Sequence, residues 1–340
     1  MKLDTSGLNL TLLLDHLNEK YGKDIATIVF TPGGEDSYNF LATSGSGEKL
    51  VARLQRNVRG HDLEKSLCLA SVLRRRSGLE LIVSAVPTLS GTLTDRIDCF
   101  QIALFPFIEG HTAHVRPVDD HIMSKLGSLL AKIHSHTQLI QGLGPSVETF
   151  ENPFQQTLLK AINWAHGPSR PSSCYQEDTK NLIRSEAGDL TDFMERFHDL
   201  GNDVRALSSQ FVVTHGDPNL DNVIVAPDET LYLIDWGDIG CGPRERDLSS
   251  YSANRLERVL TGYYEIEQPF ILHPDLFRFY QYRWCLQEIA DYTQRLISGM
   301  TSSVEAEYAL AELKAYLPVP HKEFAELDRR TTTLLHTIQS

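Results

Sequence analysis

The sequence predicts an α+β fold in two lobes, a small antiparallel-sheet N-terminal lobe and a large, mostly helical C-terminal lobe. Three observations carry this. β-prone runs separated by Gly- and Ser-rich turns crowd into residues 25–55 with no helix pattern between them, which disfavours a βαβ dinucleotide-binding unit. After residue 110 the strand signals give way to amphipathic helical periodicity. One compact strand-rich island then returns at residues 211–238.

Taken in order, residues 9–20 read as an amphipathic helix. Ile25–Phe30, Tyr38–Thr43 and Lys49–Gln55 read as strands, joined by the turns Thr31–Ser37 and Ser44–Glu48. Residues 61–75 read as a helix ending in Arg74–Arg76 and Ser77-Gly78, which suits a helix C-terminus. Leu81–Leu89 and Cys99–Phe105 are two further strand candidates. Residues 105–110 then form a boundary between an N-terminal lobe, 1–104, and a C-terminal lobe, 105–340. Ile122, Leu126, Leu129, Leu130 and Ile133 recur at helical spacing. Residues 164–178 read as a Pro/Ser-rich loop, and 179–209 and 244–316 as mostly helical.

Composition narrows the partners. The 340 residues are 41% hydrophobic and 23% charged, which rules out wholesale disorder. Lys and Arg number 32 against 45 Asp and Glu, a net charge of −13. That balance argues against a nucleic-acid partner and suits cationic small molecules or Mg²⁺. The five cysteines (Cys68, Cys99, Cys174, Cys241, Cys285) are scattered without CxxC spacing. Neither a disulfide framework nor a structural zinc site is expected, and a reducing, cytoplasmic compartment is. Asp4 and Asp15 flank a short apolar run, so the first residues read as a helix and not as a signal peptide. No membrane span is expected. A monomer or a dimer is compatible with the sequence.

The island reads FVVTHGDPNLDNVIVAPDETLYLIDWGD. Val223–Val225 and Leu231–Ile234 are β-prone runs around the turn Ala226–Thr230. Antiparallel pairing that sets Val225 against Tyr232 and Val223 against Ile234 would put Asn222 opposite Asp235, about 5 Å away. An amide oxygen and a carboxylate at one end of a hairpin suit a hard cation, Mg²⁺ above all. Asp217, on the tight loop five residues before Asn222, is placed to accept a proton from an acceptor hydroxyl. Asp, then Asn, then Asp after a hairpin is the order used in phosphoryl transfer by kinases.

HGDPNLDN followed by LIDWGD resembles the aminoglycoside phosphotransferase family, a branch of the protein-kinase-like fold. The likeness rests on His215, Gly216, Asp217, Asn222, Ile234 and Asp235. It implies a bilobal kinase using ATP (GTP possible) and Mg²⁺, with Asp217 catalytic and Asn222 and Asp235 holding the metal. His215 is read as structural, and Asp247 of Arg246-Asp247-Leu248 as buttressing the catalytic loop.

The same resemblance asks for a nucleotide side in the N-terminal lobe. The turn with Gly33 and Gly34 would cover phosphates. Arg53 on the third strand stands where the family uses lysine, with Lys49 as the fallback and Glu64 as the expected partner of Arg53. Arginine keeps the charge and binds phosphate bidentately. The hinge would set Phe105 and Phe107 near adenine.

For the acceptor, GGEDSYNF and the stretch Asp235–Leu248 are similar to the spectinomycin-phosphorylating subgroup, which implies a cationic aminocyclitol-type alcohol. Asp238, Glu265, Trp284, Glu288 and Asp291 are its candidate contacts, alongside Tyr263, Tyr264 and Glu267. A metabolite kinase of the choline, homoserine or methylthioribose type is the alternative within enzymes. A catalytically silent nucleotide-binding module is the alternative outside them. His134-x-His136 reads as a helix end, not as a metal site, and Arg74–Arg76 as a helix C-terminus, not as a nucleic-acid patch.

Overall fold

The computed structural model describes residues 8–32, 37–56, 62–114, 120–207, 210–251, 253–268, 270–299, 302–320 and 322–339. The elements begin with α1 (Leu10–Tyr21), β1 (Ile25–Thr31), β2 (Ser37–Ser44), β3 (Lys49–Arg56), α2 (Leu63–Ser77), β4 (Asp95–Ile97) and β5 (Phe100–Pro106). They continue with β6 (His111–Thr112), α3 (Asp120–Ser135), β7 (Ser146–Val147), α4 (Gln155–His166), α5 (Cys174–Arg205), β8 (Val212–Thr214), β9 (Val223–Val225) and β10 (Leu231–Leu233). The last are β11 (Gly240–Gly242), α6 (Glu245–Leu248), α7 (Ala253–Tyr263), α8 (Pro274–Ser298), α9 (Ser303–Tyr316) and α10 (Lys322–Gln339). Two compact units form: residues 1–147, 212–250 and 258–268 make one, and 148–211, 251–257 and 269–340 the other.

In the first unit β1 to β5 make a five-stranded sheet ordered β1-β2-β3-β5-β4, with antiparallel neighbours. Side chains alternate across a strand. Leu50, Ala52 and Leu54 of β3 therefore pack with Phe40, Ile102 and Leu104 under Leu13, Leu17 and Tyr21 of α1. Lys49, Val51 and Arg53 take the other face, where Arg53 lies directly between Asn39 and Ala103. On that face α2 contributes Leu63 and Leu67 to a cluster with Ala85, Leu93, Ala103 and Phe105. Asp62 caps α2 by accepting from the Lys65 amide, and Gly78 ends it in the left-handed region, φ 73°.

Leu81–Leu89 does not form the expected strand. Its pairing is split between two partners: Ile82 bridges to Leu233 and Val86 to Leu104. The Val83 amide donates to the Leu233 carbonyl (3.1 Å), and the Leu233 amide to the Leu81 carbonyl (2.9 Å). The segment thus ties the five-stranded sheet to the β9/β10 hairpin.

Two small sheets, β10-β9-β6 and β7-β11-β8, complete the strands of this unit. Helix α3 is beside them, with Leu126, Leu130 and Ile133 fully buried. It meets α7 at a glycine crossing. A Cβ on Gly127 would strike the Val259 carbonyl, and one on Gly262 the Ser124 carbonyl, so only glycine permits this approach. Ser128 Oγ donates to the Gly262 carbonyl at 2.9 Å and fixes the crossing.

The second unit is helical, cored by Phe193, Phe197, Phe279, Leu286 and Ile289 of α5 and α8. The expected 164–178 loop is shorter, because α4 runs to His166 and α5 starts at Cys174. Lys180 donates to the Gly167 and Ser169 carbonyls, and Arg184 to the Ala165 carbonyl, so cations satisfy the acceptors at the end of α4. Helix α10 extends the helical region past residue 316, and Arg278 of α8 holds it through a bidentate pair with Asp328 (2.9 and 3.0 Å). Among the described residues no helix is long and apolar enough to cross a membrane. All five cysteines are free.

Candidate active site

The candidate site is a polar loop, residues 215–222, between β8 and β9. Its head is fixed from beneath. Asp247, fully buried, accepts from the His215 amide (2.9 Å, Oδ2) and the Gly216 amide (2.8 Å, Oδ1). Burial alone would raise the Asp247 pKa, but the hydrogen bond from His134, with the Arg246 guanidinium nearby, outweighs it and holds the carboxyl below the usual range. Gly216 has φ 98°, and a Cβ there would strike the Asp238 carbonyl and the Arg246 guanidinium. Arg246 pins this corner through Thr214 Oγ1 (2.5 Å) and the Asp238 carbonyl (2.9 Å).

His215 Nε2 donates to the Ile234 carbonyl (2.8 Å), leaving Nδ1 to accept from the Asp217 amide (3.2 Å). Its ring meets Trp236 edge-on, with centroids 4.5 Å apart. It holds backbone on both sides of the ring.

Asp217 is exposed on this loop. Asn219 Nδ2 donates to both of its carboxylate oxygens at 2.9 Å, and Asn222 Nδ2 reaches Oδ2 at 3.1 Å. Desolvation by the protein around it pushes its pKa up, Asp235 and Asp238 add to that, and the hydrogen bond from Asn219 opposes it. Asn222 Nδ2 also donates to the Asp217 carbonyl (2.9 Å), so the amide nitrogen is the atom turned to Asp217 and the amide oxygen takes no part in these bonds.

The hairpin register differs from the expected one by a residue. Leu231 pairs with Val225 and Leu233 with Val223, so Ile234, not Asp235, lies opposite Asn222; its amide donates to the Asn222 carbonyl at 3.0 Å. The cause is a three-residue turn, Pro227–Glu229, closed by Ala226 and Thr230, with Glu229 at φ 62°. Asp235 follows the hairpin at φ 63°.

Arg53 Nη1 pairs with Asp235 Oδ1 at 2.6 Å, their side chains 23% and 31% exposed. Burial works against both charges, and each is the main influence that overcomes it in the other: Arg53 is held more firmly protonated and Asp235 more firmly ionised than usual. Glu64 is not the partner of Arg53. Its carboxylate accepts from the amides of Leu93 (2.9 Å) and Thr94 (2.7 Å) and from Thr94 Oγ1 (2.7 Å), folding the 93–94 loop onto α2.

Phe105 is in the apolar cluster under α2, on the same face of the sheet as Arg53. Lys49 Nζ is 5.3 Å from the centre of the Phe107 ring and 3.8 Å from Glu109. Gly33 and Gly34 lie outside the described residues. Asp238 is exposed beside the loop, whereas Glu265 lies against α3, its carboxylate 3.5 Å from Ser128 Oγ. Trp284, Glu288 and Asp291 belong to the second unit and, at i, i+4 and i+7 of α8, share one helix stripe. Trp284 is half exposed and packs edge-on against Tyr316.

Residues 27–269 match the phosphotransferase enzyme family, APH. The chain belongs to this family. It is a phosphotransferase with an alcohol group as acceptor. Protein StrN of Streptomyces griseus is 26% identical over 302 residues, 88% of each chain. The crystal structure of spectinomycin phosphotransferase APH(9)-Ia with ADP and spectinomycin superposes with a TM-score of 0.72 at 19% identity, covering 95% of this chain and 99% of that one. A microcompartment-associated aminopropanol kinase gives 0.62 at 18% identity over 96% and 98% of the chains. These structures share the bilobal kinase-like fold that the sequence predicts.

Sequence reading of this phosphotransferase missed two residues of the loop's frame. Asn219 orients the Asp217 carboxylate, and its signal was available: an Asx-type residue two positions on in a tight loop. His134 lies buried against Asp247, with Nε2 to Oδ2 at 3.0 Å, where sequence reading had only a helix end. Tyr263, expected among the acceptor contacts, is fully buried instead.

Proposed function

We propose that this phosphotransferase moves the γ-phosphoryl group of ATP (GTP being the alternative donor) onto a hydroxyl of a cationic aminocyclitol-type small molecule. The carrying observation is the Asp217 carboxylate, held by Asn219 and Asn222 on a loop whose head is clamped by Asp247. Asp217 accepts the hydrogen bond of the acceptor hydroxyl, aligns its oxygen with the γ-phosphorus and takes its proton as the new P–O bond forms, while the bond from that phosphorus to the bridging oxygen breaks and ADP leaves with the electron pair. A carboxylate pinned by two amide donors loses little freedom in doing so.

Asn222 and Asp235 would hold Mg²⁺; an amide oxygen and a firmly ionised carboxylate are the hard oxygen ligands that this ion takes. When bound, the ion offsets the charge on the transferring group. Arg53, on the sheet face shared with Phe105, supplies a cation for the nucleotide phosphates. Phe105, Phe107 and the Gly33-Gly34 turn are the proposed surroundings of the nucleotide, and Glu64 shapes its edge through the 93–94 loop. The acidic set of Asp217, Asp235 and Asp238 favours a cationic acceptor. The boundary of the nucleotide lobe is proposed at 105–110, and the free thiols fit a reducing cytoplasm.

The test is Mg·ATP turnover against a panel of spectinomycin, aminopropanol, ethanolamine, choline, homoserine and methylthioribose. One strongly preferred aminocyclitol is expected. Preference for a metabolic alcohol would move the chain to the metabolite kinases, and nucleotide binding without any turnover would mark a silent module. Asp217→Asn is expected to lower turnover by about 10²–10⁴-fold while nucleotide binding persists; an active variant would remove Asp217 from its role.

A further inference from the structure

Behind the loop, a chain of buried polar groups crosses from α7 through α3 to Asp247. His134 is 1% exposed, and Tyr263 and Asp247 are fully buried.

The direction of each hydrogen bond follows from what its atoms can do. The ionised Asp247 carboxylate only accepts, so His134 Nε2 donates to Oδ2 (3.0 Å). Arg244 Nε only donates, and it faces the Tyr263 oxygen at 3.2 Å. The Tyr263 O–H, which burial keeps protonated, then turns to His134 Nδ1 at 2.7 Å. Arg244, Tyr263 and His134 thus donate in sequence toward Asp247, whose two oxygens are also fixed by the His215 and Gly216 amides. A one-way chain of donors polarises each successive bond. The glycine crossing brings the α3 and α7 backbones close enough for it to form.

We propose that His134 and Tyr263 are positioning residues for phosphoryl transfer, holding Asp247 so that the loop of Asp217 and Asn222 keeps its catalytic geometry. This rests on the reading of residues 215–222 as the catalytic loop. A group far from the chemistry can govern rate in this way, because displacing a catalytic side chain by about 1 Å costs on the order of 10²-fold.

The test uses the full chain with Tyr263→Phe, His134→Gln and His134→Leu. Phe keeps the ring and loses the O–H, Gln keeps an N–H for Asp247, and Leu keeps only bulk. Two readouts are taken at matched melting temperature: amide hydrogen exchange in residues 212–222, which needs no acceptor, and steady-state kcat and KM for ATP with the best acceptor of the panel. Tyr263→Phe should exchange faster and lose about ten-fold in kcat, the rate equivalent of ~1.4 kcal/mol of transition-state positioning, with KM for ATP unchanged. His134→Leu should lose about 10²-fold in kcat, and His134→Gln should recover most of that. Parent-like exchange and turnover in Tyr263→Phe would overturn the proposal. So would equal losses in the Gln and Leu variants that merely follow melting temperature, or faster exchange with undiminished kcat. Faster exchange in the variants of a parent that turns over no acceptor would refute the functional reading and leave the brace standing.

Discussion

Arg53 Nη1 and Asp235 Oδ1 lie 2.6 Å apart, closing the cation proposed for nucleotide phosphates onto the carboxylate proposed for the metal. Arg53 Nε is meanwhile buried without a hydrogen-bond partner. In this arrangement the two charges neutralise each other.

Replacing Arg53 therefore acts on folding and on binding. Arg53→Met leaves Asp235 part-buried and unpaired and is expected to cost about 2 kcal/mol of unfolding free energy, less than for a fully buried pair because solvent reaches the site. Arg53→Lys keeps the charge but loses the planar fork, and ATP affinity should fall about ten-fold, the loss of one charge-assisted hydrogen bond of ~1.5 kcal/mol. Chemical denaturation and calorimetric titration check the two; unchanged ATP affinity in Arg53→Lys would remove the residue from phosphate binding.

Asn219→Ala frees the Asp217 carboxylate while leaving its charge and the metal donors in place. Turnover should fall about ten-fold with ATP binding unaltered, since a hydrogen bond that positions the carboxylate is lost. Steady-state kinetics on the preferred acceptor checks this, and parent-like kcat would show that Asn222 suffices.

At Gly216, φ 98° and the proximity of the Asp238 carbonyl leave no space for a methyl group. Gly216→Ala is expected to cost about 1–3 kcal/mol in stability. Turnover should be lost as well, because relieving the clash moves the amide that Asp247 holds. A melting curve and a single-turnover assay read both effects.

The lowered pKa of Asp247 has a definite sign for acid stability. An unfolded-chain aspartate titrates near pH ~3.9. A group depressed below that on folding contributes fully above this pH, and the contribution is lost as the pH falls through the folded value. Unfolding free energy measured by urea between pH 5 and 2 should therefore drop with acid, and less steeply in Asp247→Asn. Equal slopes in the two proteins would contradict the assignment.

Much of the first unit was legible because alternation is local: β1, β2, β3 and β5 follow β-prone runs bounded by turn residues, and the caps of α2 stand beside it in the chain. The loop of Asp217 and Asn222 was legible for the same reason, since five residues suffice to display it. What escaped was decided at a distance or by backbone alone. Glu64 meets Leu93 and Thr94, 29 and 30 residues on, and no helix periodicity reports such a partner. His134 finds Asp247 across 113 residues. The hairpin slipped by one because Glu229, not a glycine or asparagine, adopts the positive φ that closes a three-residue turn.

The glycine crossing of α3 and α7 sets a constraint that carries no charge and no functional group. Where main chain rests on main chain, no rotamer remains to absorb an error. A single added methyl at residue 127 or 262 must be answered by translating a whole helix, and with it the imidazole or the phenol that it bears. Positions with nothing to offer a substrate can in this way be as unforgiving of change as an aspartate in the site itself.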